Sequence, residues 1–183
     1  MRIFLDANIL FSAAKSNGAV RRLLEMLIDA SHECFVDAYV TEEAWRNLAA
    51  KAPAGVDYLE TLLRRLNVVP LQAQQTSFAT DPPLPEDDRP ILAAAIYNRC
   101  ESLVTGDRAH FGPLYGKTIE GVTIHSPRSL AEALGLERPS AGTRGELHAP
   151  KPTYTVRRKS RPHSAGGSSS ITSRAKRGAT HSS

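Results

Sequence analysis

Four acids stand where the chain passes from one kind of residue pattern to another, and acids so placed can do metal chemistry. Asp6 follows the apolar run Ile3-Phe4-Leu5, and Glu43 comes shortly after the apolar stretch that ends at Asp37. Asp88 precedes Arg89-Pro90-Ile91-Leu92, and Asp107 follows Leu103-Val104-Thr105-Gly106. Carboxylates gathered in one cleft repel one another and coexist only with protons or a cation between them. Hard oxygen donors favour Mg²⁺ or Mn²⁺ over zinc, which would want His or Cys. Ordinary explanations exist for three of the four. Helix starts attract acids through capping and the helix dipole, which suits Glu43 and Asp88, and Asp107 suits a turn. Asp6 is harder to dismiss, because a carboxylate directly after a buried strand is costly to leave unpaired.

The elements that must position these acids alternate between strand and helix. Residues 2–5 read as a buried strand, 33–37 as a second, 67–71 as a third, 102–105 as a fourth and 121–125 as a fifth. Between them, 19–30 carries Leu23, Leu24, Leu27 and Ile28 at helical spacing, and Thr41 is a plausible N-cap for a helix over 42–51. Further helices are expected at 56–66, 88–99 and 128–134, with the proline-rich 81–85 as a loop. The expected fold is an α/β domain with a mostly parallel five-stranded sheet and helices on both faces. Ligands of such sheets sit beyond the carboxyl ends of the strands, where strand order reverses. If strands one and four are neighbours there, Asp6 and Asp107 lie side by side, and the helix starts bring in Glu43 and Asp88.

Charge divides the chain in two. Of its 183 residues, 1–137 hold 13 Lys/Arg against 18 Asp/Glu, a net −5, whereas 138–183 hold 10 Lys/Arg and only Glu146, a net +9. Residues 1–137 are expected to form the folded domain. The segment 138–183, rich in Ser, Thr, Pro and Arg, has too little apolar surface to offset chain entropy and is expected to be a disordered basic tail. Cys34 and Cys100 show no CxxC spacing and no His cluster, so a disulfide scaffold or zinc finger is excluded and buried thiols in a reducing cytoplasm are expected. No apolar run has the roughly 20 residues of a membrane span, and the acid at position 6 interrupts any secretory leader. Gly112-Pro113-Leu114-Tyr115-Gly116-Lys117-Thr118 falls one residue short of a P-loop and precedes a strand, so nucleotide triphosphate binding is rejected.

Taken together, the four acidic segments resemble a known family. Leu5-Asp6-Ala7-Asn8-Ile9-Leu10 is similar to the opening motif of the PIN-domain nucleases, and Thr41-Glu42-Glu43-Ala44-Trp45-Arg46-Asn47-Leu48 to their second. Asp87-Asp88-Arg89-Pro90-Ile91-Leu92-Ala93-Ala94-Ala95 resembles the third motif, and Leu103-Val104-Thr105-Gly106-Asp107 with His110-Phe111 the fourth. The resemblance spans residues 2–134 and implies a three-layer α/β/α sandwich with metal-dependent endoribonuclease activity. Such proteins are most often the toxin of a bacterial toxin–antitoxin pair of the VapC type. By this likeness Asp6, Glu43, Asp88 and Asp107 are the metal and catalytic acids, with Glu42 an alternative to Glu43 and Asp87 to Asp88. The chain departs from many relatives in having Ala109 where a further acid commonly stands. A protein antitoxin, a homodimer, and products with 5′-phosphate and 3′-hydroxyl ends are likewise implied only by resemblance.

The charges dictate the mechanism such a site would use. A bare acidic cleft repels RNA phosphate, so cleavage needs Mg²⁺ or Mn²⁺ to reverse the local sign, activate water and stabilise the leaving oxygen. Asn8 is the candidate for orienting Asp6 or a metal-bound water, against a plain turn role. Thr105 is the candidate for a hydrogen bond to a neighbouring carboxylate. Lys15, Arg89 and Arg108 lie near the motifs and are candidates for gripping the RNA backbone, against simple solvated charge. His110 is either a phosphate contact or proton carrier, or a structural residue beside Phe111. The competing function is a non-catalytic RNA-binding module of the same fold, with Arg157-Arg158-Lys159-Ser160-Arg161 and Arg174-Ala175-Lys176-Arg177 holding RNA without sequence preference.

Overall fold

The computed structural model describes residues 1–71, 78–79 and 81–136. The expected basic tail lies outside these residues. Strand β1 (Arg2–Leu5) has Ile3, Phe4 and Leu5 fully buried, as a strand covered on both faces must be. It is the sheet's axis. Parallel partners flank it: β2 (Glu33–Asp37) on one side and β4 (Ser102–Val104) on the other. Outside these lie β3 (Asn67–Val69), parallel to β2, and β6 (Val122–His125), parallel to β4. Strand β5 (Thr118–Ile119) closes one edge antiparallel to β6.

The order is β3-β2-β1-β4-β6-β5, so the sheet has six strands where five were expected. The extra one is a two-residue edge strand reached through the tight hairpin at Glu120-Gly121, both with positive φ. So short a segment carries no alternating pattern to betray it.

Helices cover both faces and make the three-layer sandwich. They are α1 (Ala7–Lys15), α2 (Ala19–Asp29), α3 (Ala38–Lys51), α4 (Val56–Leu63), α5 (Arg89–Tyr97) and α6 (Pro127–Ala133). Helix α1 has no counterpart in the sequence reading. It buries Ala7, Ile9, Leu10, Ala13 and Ala14 against α2, α3 and α4, while Asn8, Ser12 and Lys15 share its other side at helical spacing. Arg21 of α2 closes its last turn by donating to the carbonyls of Ala13 and Ala14 at 2.7 and 3.0 Å.

Helix α3 also starts earlier than expected. Asp37, at the end of β2, accepts from the Val40 amide at 2.9 Å and is the true N-cap. Thr41 instead sits inside the helix and donates back to the Ala38 carbonyl. Glu43 therefore stands in the second turn, not the first. The two thiols, Cys34 and Cys100, are buried, and burial pushes both up to about 12.

Candidate active site

Strands β1 and β4 are neighbours, and chain connections leave them in opposite directions along the sheet, to β2 on one side and β6 on the other. This is the reversal point at which open parallel sheets bind ligands. The register pairs Leu5 with Val104, which sets the next residues, Asp6 and Thr105, beside each other at the carboxyl ends.

Asp6 is only 4% exposed, and its carboxylate is spent on no helix cap although it stands at the start of α1. Instead its Oδ2 accepts from the Thr105 hydroxyl at 2.6 Å and from the Asn8 amide at 2.5 Å. Asn8 ties the same corner a second time, because its Oδ1 accepts from the Gly106 amide at 2.6 Å. A Cβ on Gly106 would come to 3.0 Å from that oxygen, so a larger residue there would push the Asn8 side chain aside by a few tenths of an ångström. The Thr105 hydroxyl in turn accepts from the Asp107 amide at 3.0 Å. Asn8 and Thr105 thus both donate to Asp6, and they also link it to the turn that carries Asp107.

Asp107 and Asp88 meet on a histidine. Nδ1 of His110 lies 2.9 Å from Asp88 Oδ2 and 2.9 Å from Asp107 Oδ2. Asp107 is further held by the amides of Ala109 and His110, which donate to its Oδ1 at 2.8 and 3.2 Å. Asp88 is the N-cap residue of α5, but its side chain makes no capping hydrogen bond and is left to the cluster. Sequence reasoning left His110 undecided. Its role comes from two segments, the start of α5 and the turn after β4, that only the fold brings together.

Two of the acids stand where burial disfavours a negative charge. Burial holds the Asp6 carboxyl above its usual 3.8, with the charge of Glu43 pushing the same way, and the Thr105 and Asn8 donors only partly oppose this. Burial also raises Asp88. The adjacent His110 pulls it down, while Asp107 and Asp87 add to the rise. Glu43, half-buried, is thereby coupled to Asp6, whereas Glu42 is exposed; Asp88 is half-buried where Asp87 is exposed. Glu43 and Asp88 are thus the more buried member of each adjacent pair.

Among the described residues, one ligand atom each from Asp88, Asp107 and His110 lies within 4.8 Å of the others. Two carboxylates and an imidazole, with the oriented Asp6 in the same corner, fit a divalent cation bound mainly through oxygen. The imidazole tilts the set towards first-row transition ions over Mg²⁺.

The three cationic candidates separate. Lys15 stands at the far end of α1, about 13 Å of helix from Asp6, with its ammonium over the Phe11 ring, so it does not reach the cluster. Arg89 is spent on the preceding loop: it forms a two-pronged pair with Asp81 at 3.0 and 3.1 Å and donates to the Leu84 carbonyl. Arg108 alone is exposed beside Asp107 with no ion pair among the described residues.

A family model described as the PIN domain matches residues 2–109. The chain belongs to the PIN-domain family. Among solved structures, this PIN domain is similar to a chain of VapBC2 from Rickettsia felis, crystallised bound to a DNA fragment from its promoter. The likeness has a TM-score of 0.52 at 18% identity and covers 69% of this chain and 98% of that one, which establishes a common fold. No curated protein sequence matches the chain. Among the described residues, no helix is long and apolar enough to cross a membrane.

Proposed function

We propose that the protein is a Mg²⁺- or Mn²⁺-dependent endoribonuclease whose catalytic and metal-holding acids are Asp6, Glu43, Asp88 and Asp107. One observation carries this reading: a buried carboxylate, Asp6, is fixed by Thr105 and Asn8 in the same corner as the Asp88–His110–Asp107 cluster. A domain that only bound RNA would have no use for carboxylates that repel phosphate and that burial keeps under strain. The cation, when bound, supplies an activated water and offsets charge on the phosphate and leaving oxygen.

The residues of the chain do the rest. Thr105 and Asn8 hold Asp6 in one orientation, the Ala109 and His110 amides hold Asp107, and one carboxylate of the set serves as general base. Arg108, exposed at the rim, grips the RNA backbone. The VapBC2 likeness supports reading the chain as the toxin of a toxin–antitoxin pair, kept in check by a protein antitoxin in the cytoplasm, and a homodimer accords with that reading.

Purified full-length protein is to be incubated with labelled single-stranded, hairpin and transfer RNAs in Mn²⁺, then Mg²⁺, then EDTA. The reading predicts discrete fragments that EDTA abolishes. Folded protein that binds these RNAs in either metal but never cuts them would favour the non-catalytic binding module.

A further inference from the structure

The side of α3 that carries Glu43 also lines a hollow whose other residues the metal chemistry does not use. Tyr39, Glu43, Arg46 and Asn47 line it, spaced so that all four fall on one side of the helix. Its volume is about 270 Å³, near the roughly 300 Å³ lower bound of small-ligand clefts. That is room for one nucleotide unit and not for a helix.

The lining combines an aromatic ring, a cation and an amide whose polar groups are free to meet a ligand. Tyr39 is 40% exposed, and no hydrogen bond among the described residues engages its hydroxyl. Its ring lines the same hollow as Glu43, one helical turn away from it. Glu43 and Arg46 have the three-residue spacing at which opposite charges on a helix commonly pair, yet no ion pair joins them among the described residues. Arg46 is exposed, within electrostatic reach of Tyr39. Asn47 accepts from Lys51 at 3.1 Å through Oδ1, which leaves its amide hydrogens available.

We propose that this hollow binds the nucleotide next to the scissile phosphate of single-stranded RNA, with its base stacked on Tyr39 and its phosphate on Arg46. The Asn47 amide then offers donors to the base edge. This inference rests on the reading of Glu43 as part of a phosphodiester-cleaving site. An aromatic ring accepts any base by stacking, and a guanidinium at its side supplies the countercharge the neighbouring acids deny. A base inside a duplex cannot lie on the ring, so the hollow selects unpaired RNA.

The test is binding of a short single-stranded RNA containing 2-aminopurine to the full-length chain carrying Asp6→Asn, so that the probe is not cut. The salt is raised to weaken the contribution of the basic tail. Stacking predicts that the probe's fluorescence is quenched on binding. It also predicts that Tyr39→Phe preserves both quenching and affinity, while Tyr39→Ala loses the quench and roughly tenfold or more in affinity. Arg46→Ala, an exposed change with no burden on folding, is expected to lower the salt dependence of binding by about the 0.7 of one single-strand phosphate contact. Equal quenching and affinity for Tyr39→Ala, with an unchanged salt slope for Arg46→Ala, would overturn the proposal. Failure of the wild-type chain to cut RNA would instead count against the nuclease reading, since these binding measurements do not depend on cleavage.

Discussion

Replacing Thr105 by valine removes one hydroxyl and keeps the shape of the side chain, which makes it the sharpest probe of how the acid corner is held. The hydroxyl donates to the buried Asp6 carboxylate at 2.6 Å and accepts from the Asp107 amide at 3.0 Å. A hydrogen bond to a charged group contributes about 1.5–3 kcal/mol and a neutral one about 0.5–1.5 kcal/mol. Thr105 is fully buried, so water cannot replace either bond. The expected cost is therefore about 2–4 kcal/mol, a fall in Tm of roughly 6–16 °C for a domain of this size. Loss of the donor also removes an influence that lowers the Asp6 pKa, so divalent cations should bind less well near neutral pH. Thermal melting followed by circular dichroism, with and without Mn²⁺, reads both effects, and Thr105→Ser should restore most of the stability. A Thr105→Val protein that melts within a degree or two of wild type would refute the hydrogen-bonded corner.

Other perturbations follow from the same geometry. Asp6 has a raised pKa in the folded protein, so the unfolded chain releases its proton first. The metal-free fold is favoured by this group fully below 3.8 and loses that contribution as pH rises through the folded value. Asp6→Asn should accordingly raise the metal-free Tm at pH 7 and flatten the decline of Tm as pH rises above 3.8, and scans of both proteins in EDTA check this; a lower Tm for the variant at pH 7 contradicts it. His110→Ala removes the nitrogen donor between Asp88 and Asp107, so calorimetry should show Mn²⁺ affinity falling roughly tenfold or more, with a smaller change for Mg²⁺. Arg89→Ala breaks the pair with Asp81, which is exposed on the Asp81 side and contributes about 0.2–1 kcal/mol. It should lower Tm slightly and leave RNA affinity unchanged in filter binding, whereas Arg108→Ala weakens binding.

Much of this arrangement is legible in the residues. Asp6 stands out because it follows three side chains that a central strand must bury, and a polar group there needs partners. Asn8 is readable as a candidate for orienting Asp6, whereas Thr105 is readable only as a donor to some neighbouring carboxylate, because its pairing with Asp6 depends on the fold. The parallel order of β1, β2 and β4 follows from strands alternating with helical stretches, and the strand-one, strand-four adjacency then brings Asp6 to the turn of Asp107. What escaped was set by tertiary context. Helix α1 begins one residue after β1 ends, so its buried Ile9 and Leu10 run on from the apolar strand and hide where the helix starts. The start of α3 depends on Asp37 leaving its strand to cap a helix, and taking Thr41 as the start hides Tyr39, which then looks like a loop residue. His110 acquires two carboxylate partners only when α5 and the turn after β4 converge. Arg89 and Lys15 look like RNA contacts by their nearness to the motifs, yet a loop carboxylate claims one and helix length removes the other.

The central claim is that these acids form a metal-dependent ribonuclease site, and the most direct measurement is single-turnover cleavage of an end-labelled RNA as Mn²⁺ is titrated. Wild type, Asp6→Asn and Asp107→Asn are run together, with the fold of each confirmed by its melting curve. The account predicts saturable Mn²⁺-dependent cleavage by the wild type, reversed by EDTA, and at least about a hundredfold slower cleavage by each folded variant. Cleavage that persists in EDTA, or that survives undiminished in folded Asp6→Asn and Asp107→Asn proteins, would contradict it.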